Sequence, residues 1–152
     1  MLAFIRMNKK NNMRFNGSTW CNLDIALRNV DHIFRQAASP VGLSPLEWYV
    51  LRVLYEKDGQ HASELAQAVG RAATSFTPNL DNLEKKGLIE RRPDPCDRRA
   101  VHIHLTEAGR ACREDVIASA EEVDAKLRQL FDASDYEAFQ RVLAALQTAT
   151  LD

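Results

Sequence analysis

The chain has 152 residues, 45% of them apolar and 27% charged, with a formal net charge of −1. That is the composition of a soluble domain with room for a real core, and it excludes disorder as the main state. Apolar runs such as WYVLRVLY (48–55) are too short to cross a bilayer, which also excludes a membrane-spanning helix.

The opening MLAFIRM has no small-residue cleavage site behind it, so the expected location is cytoplasmic, with no membrane partner. Three widely spaced cysteines, Cys21, Cys96 and Cys112, form no disulfide framework. The near-neutral total hides an asymmetry. Residues 1–20 carry +4, residues 85–99 carry +3 and residues 110–152 carry −4. A basic middle and an acidic tail suggest one face for a polyanion and another for structural work.

In chain order, residues 1–18 are polar and aperiodic and read as a flexible basic arm. A helix is expected from about Thr19, with Leu23, Ala26, Leu27, Val30, Ile33 and Phe34 at helical spacing, until AASPVG ends it. Ser44-Pro45-x-Glu47 is a capping box that opens a second helix, lined by Leu46, Val50, Val53 and Leu54.

ASELAQAVG (62–70) predicts a short helix closed by Gly70, and TSFTPNLDNLEKKG (74–87) a longer one with Phe76, Leu80 and Leu83 inward. Pro78 lacks an N–H, so it belongs in the first turn with Thr74 or Ser75 as cap; otherwise the helix is kinked there. LIERR and AVHIHL alternate as two strands around the turn PDPCD. Thr106 should then cap one long helix to about Phe131, and SDYE (134–137) reads as a capping box for the last helix.

Short helix, turn, longer helix, then hairpin is the order of a winged helix-turn-helix. The expected fold is mainly α with a small β-hairpin wing, extended by terminal helices. On the 74–87 helix, Thr74, Ser75, Thr77, Asn79 and Asn82 remain outward, and their hydroxyls and amides suit base edges and phosphates in a major groove. A merely solvated helix face would have the same composition. The hairpin tip carries Arg98 and Arg99, which suit the negative potential of a narrow minor groove, with Asp97 placed to orient Arg99. A surface hairpin with internal salt bridges is the bland alternative. Six bases against three acids in 85–99 favour nucleic acid.

LSPLEWYVL followed by ELAQAVGRAATSFTPNLDNLEKKGLIERRPDPCDRRAVHIHLTEAG resembles the MarR family of bacterial transcriptional regulators. The likeness is strongest over about 43–109. Its most specific piece is Asp97-x-Arg99 followed by Leu105-Thr106-x-x-Gly109.

The resemblance implies an N-terminal dimerisation helix (19–42), a DNA-binding domain (43–105) and C-terminal dimerisation helices (106–152), forming a homodimer on a pseudo-palindromic double-stranded operator. It implies a recognition helix at about 74–86, a wing at 91–99, and a repressor relieved by a small aromatic acid, a drug or an oxidant. Many relatives carry arginine where this chain has Ala73 and Pro78, so Arg71, Asn79 and Asn82 become the candidates for base contact.

Cys21 lies near the place where hydroperoxide-sensing relatives keep a reactive thiol, but Asp24 is close and no base flanks it, which favours an inert helix-buried thiol. Cys96 at the hairpin tip is oxidisable. His32 and Trp48 could border an aromatic effector pocket, and core packing explains Trp48 equally well.

His102 and His104 are two apart on one strand with no third ligand at a recognisable spacing, so no metal and no cofactor are expected. No enzyme signature is present, and a non-catalytic protein is expected. Two rivals stand beside the DNA reading: a winged helix that binds protein instead, and a redox- or metal-responsive version of the same regulator.

Overall fold

The computed structural model describes residues 13–70, 73–94, 97 and 100–149, without the side chains of 73–75. The chain divides into two units, Met1–His32 and Ile33–Asp152.

In the first unit a 3-10 turn at Phe15–Gly17 leads into α1 (Thr19–Ala37). Of the arm expected over 1–18, residues 13–18 thus hold a turn that leads into the helix, and residues 1–12 lie outside the described residues. Asn22 stitches this entry. Its Oδ1 accepts from the Arg14 N–H at 2.9 Å, and its Nδ2 donates to the carbonyls of Arg14 and Ser18. Trp20, Leu23 and Leu27 of α1 are exposed.

The second unit holds α2 (Pro45–Glu56), β1 (Gln60–His61), α3 (Ala62–Ala68), α4 (Ala73–Lys85), β2 (Ile89–Pro93), β3 (Val101–Leu105), α5 (Glu107–Ala111), α6 (Arg113–Arg128) and α7 (Ala133–Thr148). The capping box of α2 forms as expected: Ser44 Oγ accepts from the Glu47 N–H, and Glu47 accepts from the Ser44 N–H at 2.8 Å. Glu47 is also buried, and Lys86 Nζ donates to it at 2.6 Å. One carboxylate therefore caps α2 and anchors the segment that follows α4.

The core joins α2, α3, α4, the sheet and α6 through Leu51, Leu54, Leu65, Phe76, Leu80, Leu83, Ile89, Ile103 and Val116. At about 25 cal/mol per Å² of buried apolar surface, these contacts are the main force holding α3, α4 and the sheet in place.

The sheet is antiparallel, in the order β1–β3–β2. The two-residue strand β1 is not visible in the sequence pattern, being too short to show a period. Gly70, with φ at +64°, closes α3 in the left-handed region that a side chain resists.

Three local expectations are corrected. Pro78 sits inside α4, whose helical residues begin at least as early as Ala73, rather than in the first turn. Phe76, Leu80 and Leu83 bury one continuous stripe, and that packing outweighs the lost backbone bond.

The helix after Thr106 is also not continuous: α5 ends at Ala111 and α6 starts at Arg113. At the break, the Gly109 carbonyl accepts from the Tyr55 hydroxyl at 2.9 Å and from the Cys112 thiol at 3.3 Å. Burial first, and then the contact with Cys112, hold the Tyr55 phenol above its ordinary value, so it remains a donor. Gly109 is obligatory, because a Cβ there would collide with the Leu88 carbonyl oxygen.

Finally, α7 is capped by Asp132, whose carboxylate accepts from the Asp135 N–H at 2.8 Å, and not by Ser134. Aspartate is as good a cap as serine, and it stands where the helix begins.

Candidate nucleic-acid interface

α4 is anchored on one side by Phe76, Leu80 and Leu83, each no more than 2% exposed. Thr77 and Asn82 are exposed and Asn79 is half-buried. Thr74 and Ser75 lie in the first turns of the same helix. Arg71, Cys96, Arg98 and Arg99 fall outside the described residues.

The flank of α4 nearest β2 carries Asp81 and Glu84, and Arg91 of β2 neutralises both. Its guanidinium lies 2.6 Å from Asp81 Oδ1 and also pairs with Glu84. Burial would loosen the arginine's proton, but the two carboxylates outweigh it and hold the Arg91 pKa above its ordinary value. Arg92 pairs with Glu90, and Lys86 with Glu47. Much of the basic excess read from 85–99 is therefore spent inside the fold. Among the described residues of that stretch, Lys85 is the base without an ion pair.

The turn of the hairpin is organised by Asp94, which was not among the residues expected to matter there. Its Oδ1 accepts from the Asp97 N–H at 3.0 Å, and its Oδ2 lies 2.6 Å from His102 Nε2. The Asp94 N–H donates to the Ala100 carbonyl, and the Ala100 N–H to that of Asp97. The hydrogen bond to Asp94 first, and that to the Gly59 carbonyl second, raise the His102 pKa. A pairing of Asp97 with Arg99 lies outside the described residues. The signal for Asp94 was present in PDPCD, since an aspartate in a turn can accept from the backbone N–H three residues on, as a helix cap does.

The remaining candidates fall elsewhere. Trp48 is 8% exposed, and its indole N–H donates to the Val116 carbonyl at 2.7 Å and to Ser119 Oγ at 3.0 Å. Phe34 and Tyr49 meet its ring edge-on, at 5.6 and 5.2 Å. It is an anchor between α2 and α6. His32 and Cys21 belong to the first unit, where Cys21 is half-buried and its N–H donates to Ser18 Oγ. A cleft of about 310 Å³ lies between Leu54, Tyr55, Asp58, Leu105, Arg110 and Arg113.

Residues 43–101 match the model of the MarR family. The HTH-type transcriptional regulator MhqR of Bacillus subtilis is 32% identical over 103 residues, 67% of this chain and 71% of MhqR. A probable transcriptional regulator from Pseudomonas aeruginosa superposes with a TM-score of 0.75 at 28% identity, covering 82% of this chain and 92% of the other.

The transcriptional repressor CouR superposes in two states. Bound to a 23-mer DNA duplex it gives a TM-score of 0.71 at 29% identity, over 82% of this chain and 89% of CouR. CouR from Rhodococcus jostii, bound to p-coumaroyl-CoA, gives 0.68 at 25% identity, over 86% and 92%. The chain belongs to the MarR family and is a DNA-binding transcriptional regulator with a winged helix-turn-helix fold. None of its helices, among the described residues, is long and apolar enough to cross a membrane.

Proposed function

We propose that this regulator is a repressor that binds a pseudo-palindromic operator as a homodimer and releases it when a small molecule binds. The observation that carries the reading is the Arg91 bridge to Asp81 and Glu84, which makes the recognition helix and the wing one body and cancels the acids beside the helix. In this reading Arg71, Thr74, Ser75, Thr77, Asn79 and Asn82 meet the major groove, and Arg98 and Arg99 the minor groove. Residues 43–105 form the DNA-binding domain.

Residues 19–42 and 106–152 supply the dimer contacts. The exposed Trp20, Leu23 and Leu27 of the first unit, and Leu130, Val142, Leu143 and Leu146 of the second, support this, because apolar stripes of that size are covered in stable proteins. CouR, a repressor bound to DNA in one structure and to a small acyl-CoA in another, supports the ligand-relieved mode. Trp48 is committed to packing, so an effector near it would meet Tyr49 and Arg52, whose guanidinium lies 5.6 Å from the indole centroid. The protein acts by binding and not by catalysis.

The test is selection of bound fragments from the host genome by the purified protein, followed by anisotropy on the selected site at rising salt. Two half-sites about one helical turn apart are expected. With about 3–4 phosphates neutralised per subunit, affinity should fall on the order of 10³- to 10⁵-fold between about 50 and 200 mM salt. Binding indifferent to sequence would sink the operator reading and favour a protein partner.

A further inference from the structure

β1 and β3 pair so that His61 stands directly opposite His102, with Cα atoms in register. The two imidazoles lie side by side, ring centroids 4.0 Å apart. Asp94, at the start of the hairpin turn, adds its carboxylate. One ligating atom from each of His61, Asp94 and His102 lies within 4.8 Å of the others. We propose that these three residues form a binding site for a divalent transition ion of the zinc class at the base of the wing.

The hydrogen bonds that would orient such ligands are already built. His102 Nδ1 lies 2.8 Å from the Gly59 carbonyl and His61 Nδ1 lies 3.3 Å from the Val101 carbonyl. A carbonyl only accepts, so each Nδ1 carries a proton; His61 keeps its lone pair on Nε2, while the His102 Nε2 proton is donated to Asp94 and is the one an ion would displace. A ring N–H given to a backbone carbonyl is the usual way a ligating histidine is oriented.

The second carboxylate oxygen of Asp94 is likewise held, by the Asp97 N–H. The hydrogen bond between Asp94 and His102 does not involve His61, whose ring lies beside that of His102. Bonds of about 2.0–2.1 Å in a tetrahedron place ligand atoms about 3.3 Å apart, so small side-chain rotations suffice to close the set. Two imidazole nitrogens and one carboxylate oxygen suit a borderline ion, and all three residues are half-buried, leaving the fourth position to water.

A bound ion would tie the first residue of the turn to β1. It would also replace the proton shared by Asp94 and His102 with a double charge, making the wing more positive. On the regulator reading, which this consequence alone rests upon, zinc strengthens operator binding.

The experiment uses the full chain, stripped with a chelator and titrated with Zn²⁺ against a chromophoric competitor, with Co²⁺ as the spectroscopic probe. One equivalent per chain is expected, with a cobalt spectrum free of thiolate charge-transfer bands. H61A and D94N should each weaken uptake by about 100-fold or more, as deletion of a ligand should exceed the loss from removing a group that only orients one. Both variants are checked for native circular dichroism, and His61, on a two-residue strand, is the milder change.

Substituting all three cysteines by serine should leave uptake unchanged. No uptake at micromolar zinc, uptake that survives both variants, or a thiolate band would overturn the site. Because uptake is read without DNA, its failure says nothing against operator binding. An ion that binds and leaves operator affinity unmoved would overturn the coupling and keep the site.

Discussion

Arg91 of β2 and Asp81 of α4 are joined at 2.6 Å, so the strand that begins the wing is pinned to the helix expected to enter the major groove. The arginine is 29% exposed and its partners are more so, which places the bridge in the range of about 0.2–1 kcal/mol for stability. Its electrostatic role is larger. Arg91→Ala should leave two carboxylates uncompensated beside the DNA, weakening operator binding well beyond the loss in stability. Urea titration and anisotropy separate the two effects. Restoration of affinity by adding Asp81→Asn and Glu84→Gln would confirm the charge argument, whereas equal losses in both measurements would refute it.

Asp58 gives the fold an acid-sensitive joint. Burial raises its pKa, but the N–H groups of Leu105 and Gly59, together with His104, outweigh this and hold it below the ordinary 3.8. Arg110 adds a charge at 2.7 Å. A depressed carboxyl stabilises the fold above its unfolded value and loses that contribution as pH falls through its folded value. Unfolding free energy should therefore drop as pH falls below 3.8, and Asp58→Asn should flatten that drop. At neutral pH the same variant should cost about 1–2 kcal/mol, as a charged acceptor is lost from the Leu105 N–H. An unaltered acid limb in the variant would assign the sensitivity to other groups.

Gly109→Ala tests the contact between α5 and the link from α4 to β2. The added methyl would meet the Leu88 carbonyl, which is backbone and has little room to yield. A loss of about 1–3 kcal/mol, or about 2–12 °C in Tm, is expected. A thermal melt that matches the wild type would show that α5 can move away freely.

Pro78→Ala restores an N–H inside α4. Because Pro78 is exposed and its side chain is not part of the buried stripe, the variant should gain stability, up to about 3 kcal/mol on helix propensity. Chemical denaturation reads this directly. A loss instead would show that the proline ring makes a contact worth more than the backbone bond.

Val142→Asp combined with Leu146→Asp tests the α7 face. Both residues are more than half exposed in the single chain, so the pair should leave the monomer folded while abolishing a dimer. Sedimentation at micromolar concentration distinguishes the species. A dimer that persists would move the interface away from this face of α7.

The sequence by itself determined the elements whose causes are local. The Ser44–Glu47 capping box, the left-handed glycine at position 70, the stripe of Phe76, Leu80 and Leu83, and the alternation of Val101, Ile103 and Leu105 each depend on residues a few positions apart. Their spacing shows in the chain. The tertiary structure decided what depends on distant partners. It put Arg91 against Asp81 and Glu84, so that a charge excess counted along the chain proved partly self-cancelling. It placed Pro78 in mid-helix because a packed stripe outweighs one missing backbone bond. It broke the helix at Cys112, where Tyr55 takes the Gly109 carbonyl, and it set His61 opposite His102 by pairing a strand too short to have a pattern. Periodicity records which face of an element is buried, but not which other element covers it, and side-chain partners are chosen by that second fact.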